Sequence, residues 1–138
     1  VSDRNKLLFA TERWIREIWQ ERDIQAVDRL HHPDFIDRSP SGRGSDNPSY
    51  KEGLAEFFEA FPDFFTQISD TVVDVDHRKV AIRWRATGTH EAEFLNIQPT
   101  GRFVHFVGIE ILTIDEDGLI TERWGEWDGL SILHQLTA

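Results

Sequence analysis

Glu110 stands in the middle of the apolar run RFVHFVGIEILTI, and His90 closes an earlier run, KVAIRWRATGTH. A carboxylate kept in apolar surroundings has its pKa raised, as a group that must take and return protons at neutral pH requires. Paired with a cation or imidazole that holds an oxygen, such a carboxylate can remove the acidic proton next to a carbonyl and return it to a new alkoxide. Glu110 is thus the candidate acid/base, with His90 or Arg123 to hold the enolate oxygen and Trp84, Phe106, Trp124 or Trp127 as flat apolar walls. No metal or organic cofactor is needed to ionise an acidic carbon. The competing reading puts Glu110 on the outer face of its strand, or inside as a satisfied ion-pair partner of Arg83 or Arg123.

Strand phase decides between these readings. In KVAIRWRATGTH the residues Val80, Ile82, Trp84 and Ala86 alternate with Lys79, Arg83 and Arg85, so His90 falls in phase with the buried set. On the run from 103 to 114, Phe106, Gly108, Glu110 and Leu112 share one face, and His105, Val107, Ile109 and Ile111 share the other. TQISDTVVDV and LITERWGEW complete four expected strands, the last after the turn DEDG. Three helices are expected before them. The first carries Leu8, Ile15, Ile18 and Trp19 at helical spacing; the second is capped by Asp23 and ends before HHPDF; the third opens on a Ser49/Glu52 capping box and turns Leu54, Phe57, Phe58 and Phe61 inward. SPSGRGSDNPS between the last two reads as a loop at a pocket mouth. Helices followed by strands give an α+β domain, a strongly bent antiparallel sheet wrapped over a helical layer.

Composition narrows the function classes. The chain has 138 residues, the size of one domain, and 39% hydrophobic with 29% charged residues is a folding composition. A net charge of -10 repels phosphate backbones and anionic lipid, so neither nucleic acid nor a membrane surface is expected as a partner. The absence of Cys removes disulfides and thiolate chemistry and fits a cytoplasmic, soluble protein, and neither a signal-peptide hydrophobic region nor a membrane-spanning run is visible. His31, His32 and Asp34 lack metal-ligand spacing and read as a solvated helix terminus, so no metal site is expected.

HPDFID, GTH, FLNIQPTGR, GIEIL, DGLITERW and WDGLSILHQL occur in an order and spacing that resembles the SnoaL-like polyketide cyclases of the nuclear transport factor 2-like superfamily, over nearly the whole chain. The resemblance implies a cone-shaped, cystatin-like α+β barrel with an apolar pocket between sheet and helices, a homodimer, and aldol-type ring closure of a small hydrophobic carbonyl compound without a cofactor. It implies pocket positions at His90, at Phe35 and Asp37 of HPDFID, and on the last two strands. Those cyclases use an aspartate on the last strand and a histidine on the strand before it; here Gly125 and Glu110 stand in those places. A binding module of the same fold for an apolar metabolite, and a protein-interaction domain using the sheet face, remain the alternatives.

Two further expectations concern surfaces. Val107, Ile109 and Ile111 form a face too apolar to be left wet, which points to a homodimer across it. Phe94, Leu95 and Ile97, in the loop from Glu91 to Gly101, are expected to cover the pocket mouth or the dimer seam.

Overall fold

Helix α1 (Asp3–Trp14) begins where Ser2 accepts a hydrogen bond from the Asn5 backbone N–H, at 3.1 Å, with Asp3 in its first turn. It runs straight into a π-helical segment, Ile15–Gln20. Then follow α2 (Ala26–Leu30), β1 (His31–Asp37), α3 (Asn47–Ala60), β2 (Phe65–Asp74), β3 (Lys79–Thr89), β4 (Phe103–Ile114), β5 (Ile120–Trp127) and α4 (Gly129–Thr137). This computed structural model describes residues 2–40 and 42–138; Ser41, in the SPSGRGSDNPS loop, lies outside them.

The strands form one sheet in the order β1-β5-β4-β3-β2. β2 to β5 pair antiparallel, as the sequence predicts. The fifth strand is a correction: HHPDFID is not a helix end followed by loop but strand β1, lying parallel to β5 with Asp37 opposite Arg123. Pro33 causes no conflict there, because an edge strand has one side free of ladder bonds. The third helix starts two residues before the expected capping box, with Asp46 accepting from the Ser49 N–H at 2.9 Å. Gln25, not Asp23, occupies the N-cap of α2. Among the described residues no helix is long and apolar enough to cross a membrane.

The alternation read on β3 and β4 holds. Val80, Ile82, Ala86 and His90 are buried while Arg83 and Arg85 are exposed; Val104, Phe106, Glu110 and Leu112 are buried while Val107, Ile109 and Ile111 are not. The inner face meets two apolar clusters. One joins Leu7, Trp14, Ile18 and Val27 to Val80, Ile82, Leu112 and Ile120; the other joins Phe61, Phe64, Ala86 and Phe106 to Ile132 and Leu136 of α4. Each fully buried Leu or Ile contributes ~2 kcal/mol, so the two clusters fix the helices against the sheet. Residues from both line the cavity described next.

Candidate functional site

The cavity holds about 570 Å³ and lies between the bent sheet and α1, its π-helical extension and α3. That volume suits a small organic ligand. Aromatic rings supply much of its wall, among them Trp14, Trp19, Phe57, Phe64, Trp84 and Phe106. The π-helical winding matters here. Five residues apart, Trp14 and Trp19 would lie about 140° apart on an α-helix, whereas the wider i→i+5 turn brings them round to adjacent positions, with ring centroids 6.3 Å apart.

The polar end is a three-residue cluster. Arg123 of β5 donates from Nε to Glu110 Oε2 at 3.0 Å and from Nη2 to Glu110 Oε1 at 2.9 Å. Its Nη1 donates to both Asp37 oxygens, at 3.0 and 3.1 Å. Parallel pairing of β1 with β5 places Asp37 there, and antiparallel pairing of β4 with β5 places Glu110 there. All three side chains line the cavity, and Glu110 and Asp37 are only 6% and 7% exposed. One guanidinium faces two carboxylates, so the cluster carries a surplus negative charge whenever both acids are ionised. Burial pushes the Glu110 carboxyl above its usual range, against the pull of Arg123 and with some help from the Asp37 charge. Burial disfavours the Arg123 cation too, but Glu110, Tyr50 and Asp37 together more than offset it and the guanidinium stays firmly protonated. Burial thus leaves Glu110 a carboxyl that holds a proton more readily than an exposed one.

Gly125 makes this geometry possible. It sits directly across from Glu110 in the β4–β5 register. A Cβ at that position would collide with the Arg123 guanidinium and come within 2.6 Å of Glu110 Oε2. Any side chain at 125 would displace the ion pair.

Trp84, Phe106, Arg123 and Trp127 lie on the cavity as expected, and of the 91–101 loop Phe94 and Leu95 reach it. Ile97 instead packs against the second apolar cluster. His90 is not part of the site. It is wholly buried and shares the inner face of the sheet with Glu110, but Glu110 pairs with Ile82, eight residues earlier on β3. At roughly 3.3 Å per residue that separates the two by about 25 Å. His90 Nδ1 instead accepts the Thr100 backbone N–H at 3.1 Å, which ties down the loop. Trp124 is 45% exposed on the outer face, opposite Ile111, and does not touch the cavity. Phe35 is buried behind it, stacked on His31 at 3.9 Å between ring centroids. His31 is equally a correction: it lies not at a solvated helix end but in the core, where Nε2 accepts the Trp14 indole N–H at 2.9 Å and Nδ1 meets Asn47 Oδ1 at 3.0 Å.

Trp14, Trp19 and Tyr50 were not singled out from the sequence as site residues. Tyr50 is the chain's one tyrosine, and it sits four residues before Leu54 and seven before Phe57 on the inward stripe of α3, so the helical period was the available signal.

Comparison with known proteins agrees with this architecture. A sequence model described as SnoaL-like polyketide cyclase matches residues 10–136. The chain belongs to the SnoaL-like polyketide cyclase family. Its fold is similar to that of TsrD from Streptomyces laurentii, at 23% identity and a TM-score of 0.86 over 100% of this chain and 99% of that one. A protein assigned as a SnoaL-like polyketide cyclase from Jannaschia sp. CCS1 matches at 20% identity and a TM-score of 0.86, over 100% and 96% of the two chains. One assigned as a polyketide cyclase from Acidithiobacillus ferrooxidans matches at 26% identity and a TM-score of 0.82, over 99% and 97%. No curated protein matches in sequence. In this SnoaL-like chain the space that a side chain at Gly125 would enter is taken by the Arg123–Glu110 pair.

Proposed function

We propose that this SnoaL-like chain is a cofactor-independent acid/base enzyme that closes a ring in a small hydrophobic carbonyl compound, with Glu110 as the group that moves the proton. The observation that carries the reading is a buried carboxylate with a raised pKa on the wall of an aromatic cavity. Glu110 takes a proton from the carbon beside a ketone or ester carbonyl, leaving an enolate. The enolate carbon attacks a second carbonyl of the same molecule, one carbon–carbon bond forms, and the proton returns from Glu110 to the new alkoxide. Atoms balance within the substrate, so no co-reactant enters. Arg123 holds the carboxylate in place and favours its anion, the form present before the proton is taken and again after it is returned, while Asp37 holds Arg123.

Glu110→Gln keeps the shape and hydrogen-bonding capacity and removes the titratable group. Turnover of an activated diketone or keto ester is expected to fall about a hundredfold or more, with ligand binding retained. Turnover unchanged in this variant would remove the reading. One observation favours a second reading, a binding module without chemistry: Arg123 engages both carboxylates at once, and its pull on Glu110 opposes proton uptake there. In that case no carbonyl compound that binds is turned over by the wild-type protein.

The same proposal includes a second copy of the chain on the outer sheet face, where Val107, Ile109, Ile111 and Trp124 are 36–50% exposed side by side on β4 and β5. Sedimentation at micromolar concentration is expected to show a dimer that Ile109→Lys dissociates. A wild-type monomer under those conditions would remove this part.

A further inference from the structure

Among the described residues, three hydrogen-bond donors on the cavity's aromatic residues have no partner: Trp19 Nε1, Tyr50 O–H and Trp84 Nε1, each buried. A buried donor left unpaired costs free energy, and native proteins seldom keep one, still less three around one cavity. Each is held where it is by rigid packing. The Tyr50 ring sits against His31 at 5.2 Å and Phe35 at 5.7 Å, with the Arg123 guanidinium 5.6 Å from its centroid. Trp19 is wedged edge-on among Phe57, Phe58 and Phe64, with centroids 5.7–6.0 Å apart. Trp84 lies over Gly108, where a Cβ would come within 2.7 Å of its Cε2, so the glycine lets the indole cross β4.

These donors differ in what they can satisfy. An indole N–H only donates, and a phenol that stays protonated donates while its oxygen is free to accept. Burial pushes the Tyr50 phenol well above its usual range, with Arg123 opposing and Glu110 and Asp37 adding to the rise. The Trp19 N–H is near enough to act on the Tyr50 oxygen, yet no hydrogen bond closes between them. Against these three residues a ligand donor finds only the Tyr50 oxygen to accept from it, whereas a ligand presenting oxygen acceptors finds three donors waiting.

We propose that Tyr50, with Trp19 and Trp84, forms an oxygen-binding wall that selects a flat compound by its carbonyl oxygen, and that the Tyr50 O–H holds that oxygen as charge develops on it during enolisation. The site assignment stands on the orphaned donors; the role in turnover rests on the acid/base reading given above. Tyr50 keeps its proton throughout, donating a hydrogen bond to the enolate oxygen while Glu110 takes the carbon proton.

The test separates binding from turnover. 2-Acetylnaphthalene and 2-ethylnaphthalene have similar shape, and only the first offers a carbonyl oxygen. Titrated into the protein and followed by tryptophan fluorescence, the ketone is expected to bind at least tenfold more tightly, because the donors go unpaired against the hydrocarbon. Tyr50→Phe removes one oxygen atom and no hydrogen-bond partner of the fold, so its urea midpoint is expected to match wild type while the preference for the ketone shrinks to about threefold or less. Trp84→Phe, which keeps a ring and removes one N–H, is expected to cut the preference severalfold and provides the same reading should Tyr50→Phe fold poorly. A wild-type protein indifferent between the two probes, or a preference untouched by both variants, overturns the wall. With a diketone that turns over, Tyr50→Phe is expected to lower kcat roughly a hundredfold at nearly constant KM. If Glu110→Gln abolishes turnover and Tyr50→Phe does not change it, the oxyanion role falls and the acid/base reading stands. If no carbonyl compound is turned over but the ketone preference depends on Tyr50, the acid/base reading falls and the wall stands.

Discussion

Arg123→Met is expected to remove roughly 3–5 kcal/mol of stability at pH 7, because it leaves Glu110 and Asp37 buried side by side with no cation between them. Methionine approximates the length and apolar stem of arginine, so little of the loss comes from packing. The sign of the pH dependence identifies the cause. In the variant burial still raises the Glu110 carboxyl and the Arg123 pull that opposed the rise is gone, so the penalty is fully present at neutral pH and fades as pH falls and Glu110 protonates. Urea midpoints of wild type and variant at pH 7 and pH 5 check this; the gap should narrow at pH 5. A loss under about 1 kcal/mol, or a gap independent of pH, would mean that the cluster is as wet as a surface ion pair.

The second large effect belongs to His31. Burial lowers its pKa to about 4 from 6.5; its hydrogen bond to Asn47 and the Asp28 charge oppose the fall, and Arg123 adds to it. Trp14 explains why the ring resists a second proton. An indole N–H can only donate, so His31 Nε2 must accept, and Nδ1 carries the hydrogen given to Asn47. Protonating Nε2 would set two N–H groups against each other in the core. As pH falls, the unfolded chain takes up a proton near pH 6.5 that the folded chain refuses until about pH 4. Stability from this group is thus complete above pH 6.5 and falls by about 3 kcal/mol on the way to pH 4. His31→Gln, whose amide oxygen can still accept from Trp14, is expected to flatten the pH profile of the urea midpoint by that amount. An identical slope in wild type and variant would refute the assignment.

Much of this was legible in the sequence, and the misses have physical causes. Alternation identified the buried faces of β3 and β4, because a period of two allows only two answers and the arginines at 83 and 85 exclude one. That same period says nothing about position along a strand, which is why His90 looked like a neighbour of Glu110 although register separates them. β1 was missed because Pro33 and two histidines resemble a helix terminus, and what makes the segment a strand is parallel pairing with β5 almost ninety residues later. α4 has an ordinary local signal, Asp128 accepting from the Ser131 N–H at 2.9 Å, but it went unread beside the strand pattern of LITERWGEW. For Glu110 the two competing sequence readings each held part of the answer. It lies inward and is ion-paired with Arg123, and it still borders a cavity. Trp124 was misplaced by counting an aromatic on β5 as a wall without using the phase that turns Arg123 and Gly125 inward.

The π-helical segment gives the chain an unusual tolerance to the loss of a residue beside its cavity. Its wide turn accommodates more residues per turn than an α-helix, so shortening Ile15–Gln20 by a single exposed residue such as Arg16 would let the segment relax into ordinary helix. Trp19, then four residues after Trp14, would lie about 40° from it on the ordinary helix, so both indoles would stay on the face that meets the cavity. Changes of chain length inside a helix are normally ruinous, since everything beyond them rotates out of phase. Here the wide turn can absorb one, so a residue can be lost between the two tryptophans while the cavity wall they form is kept.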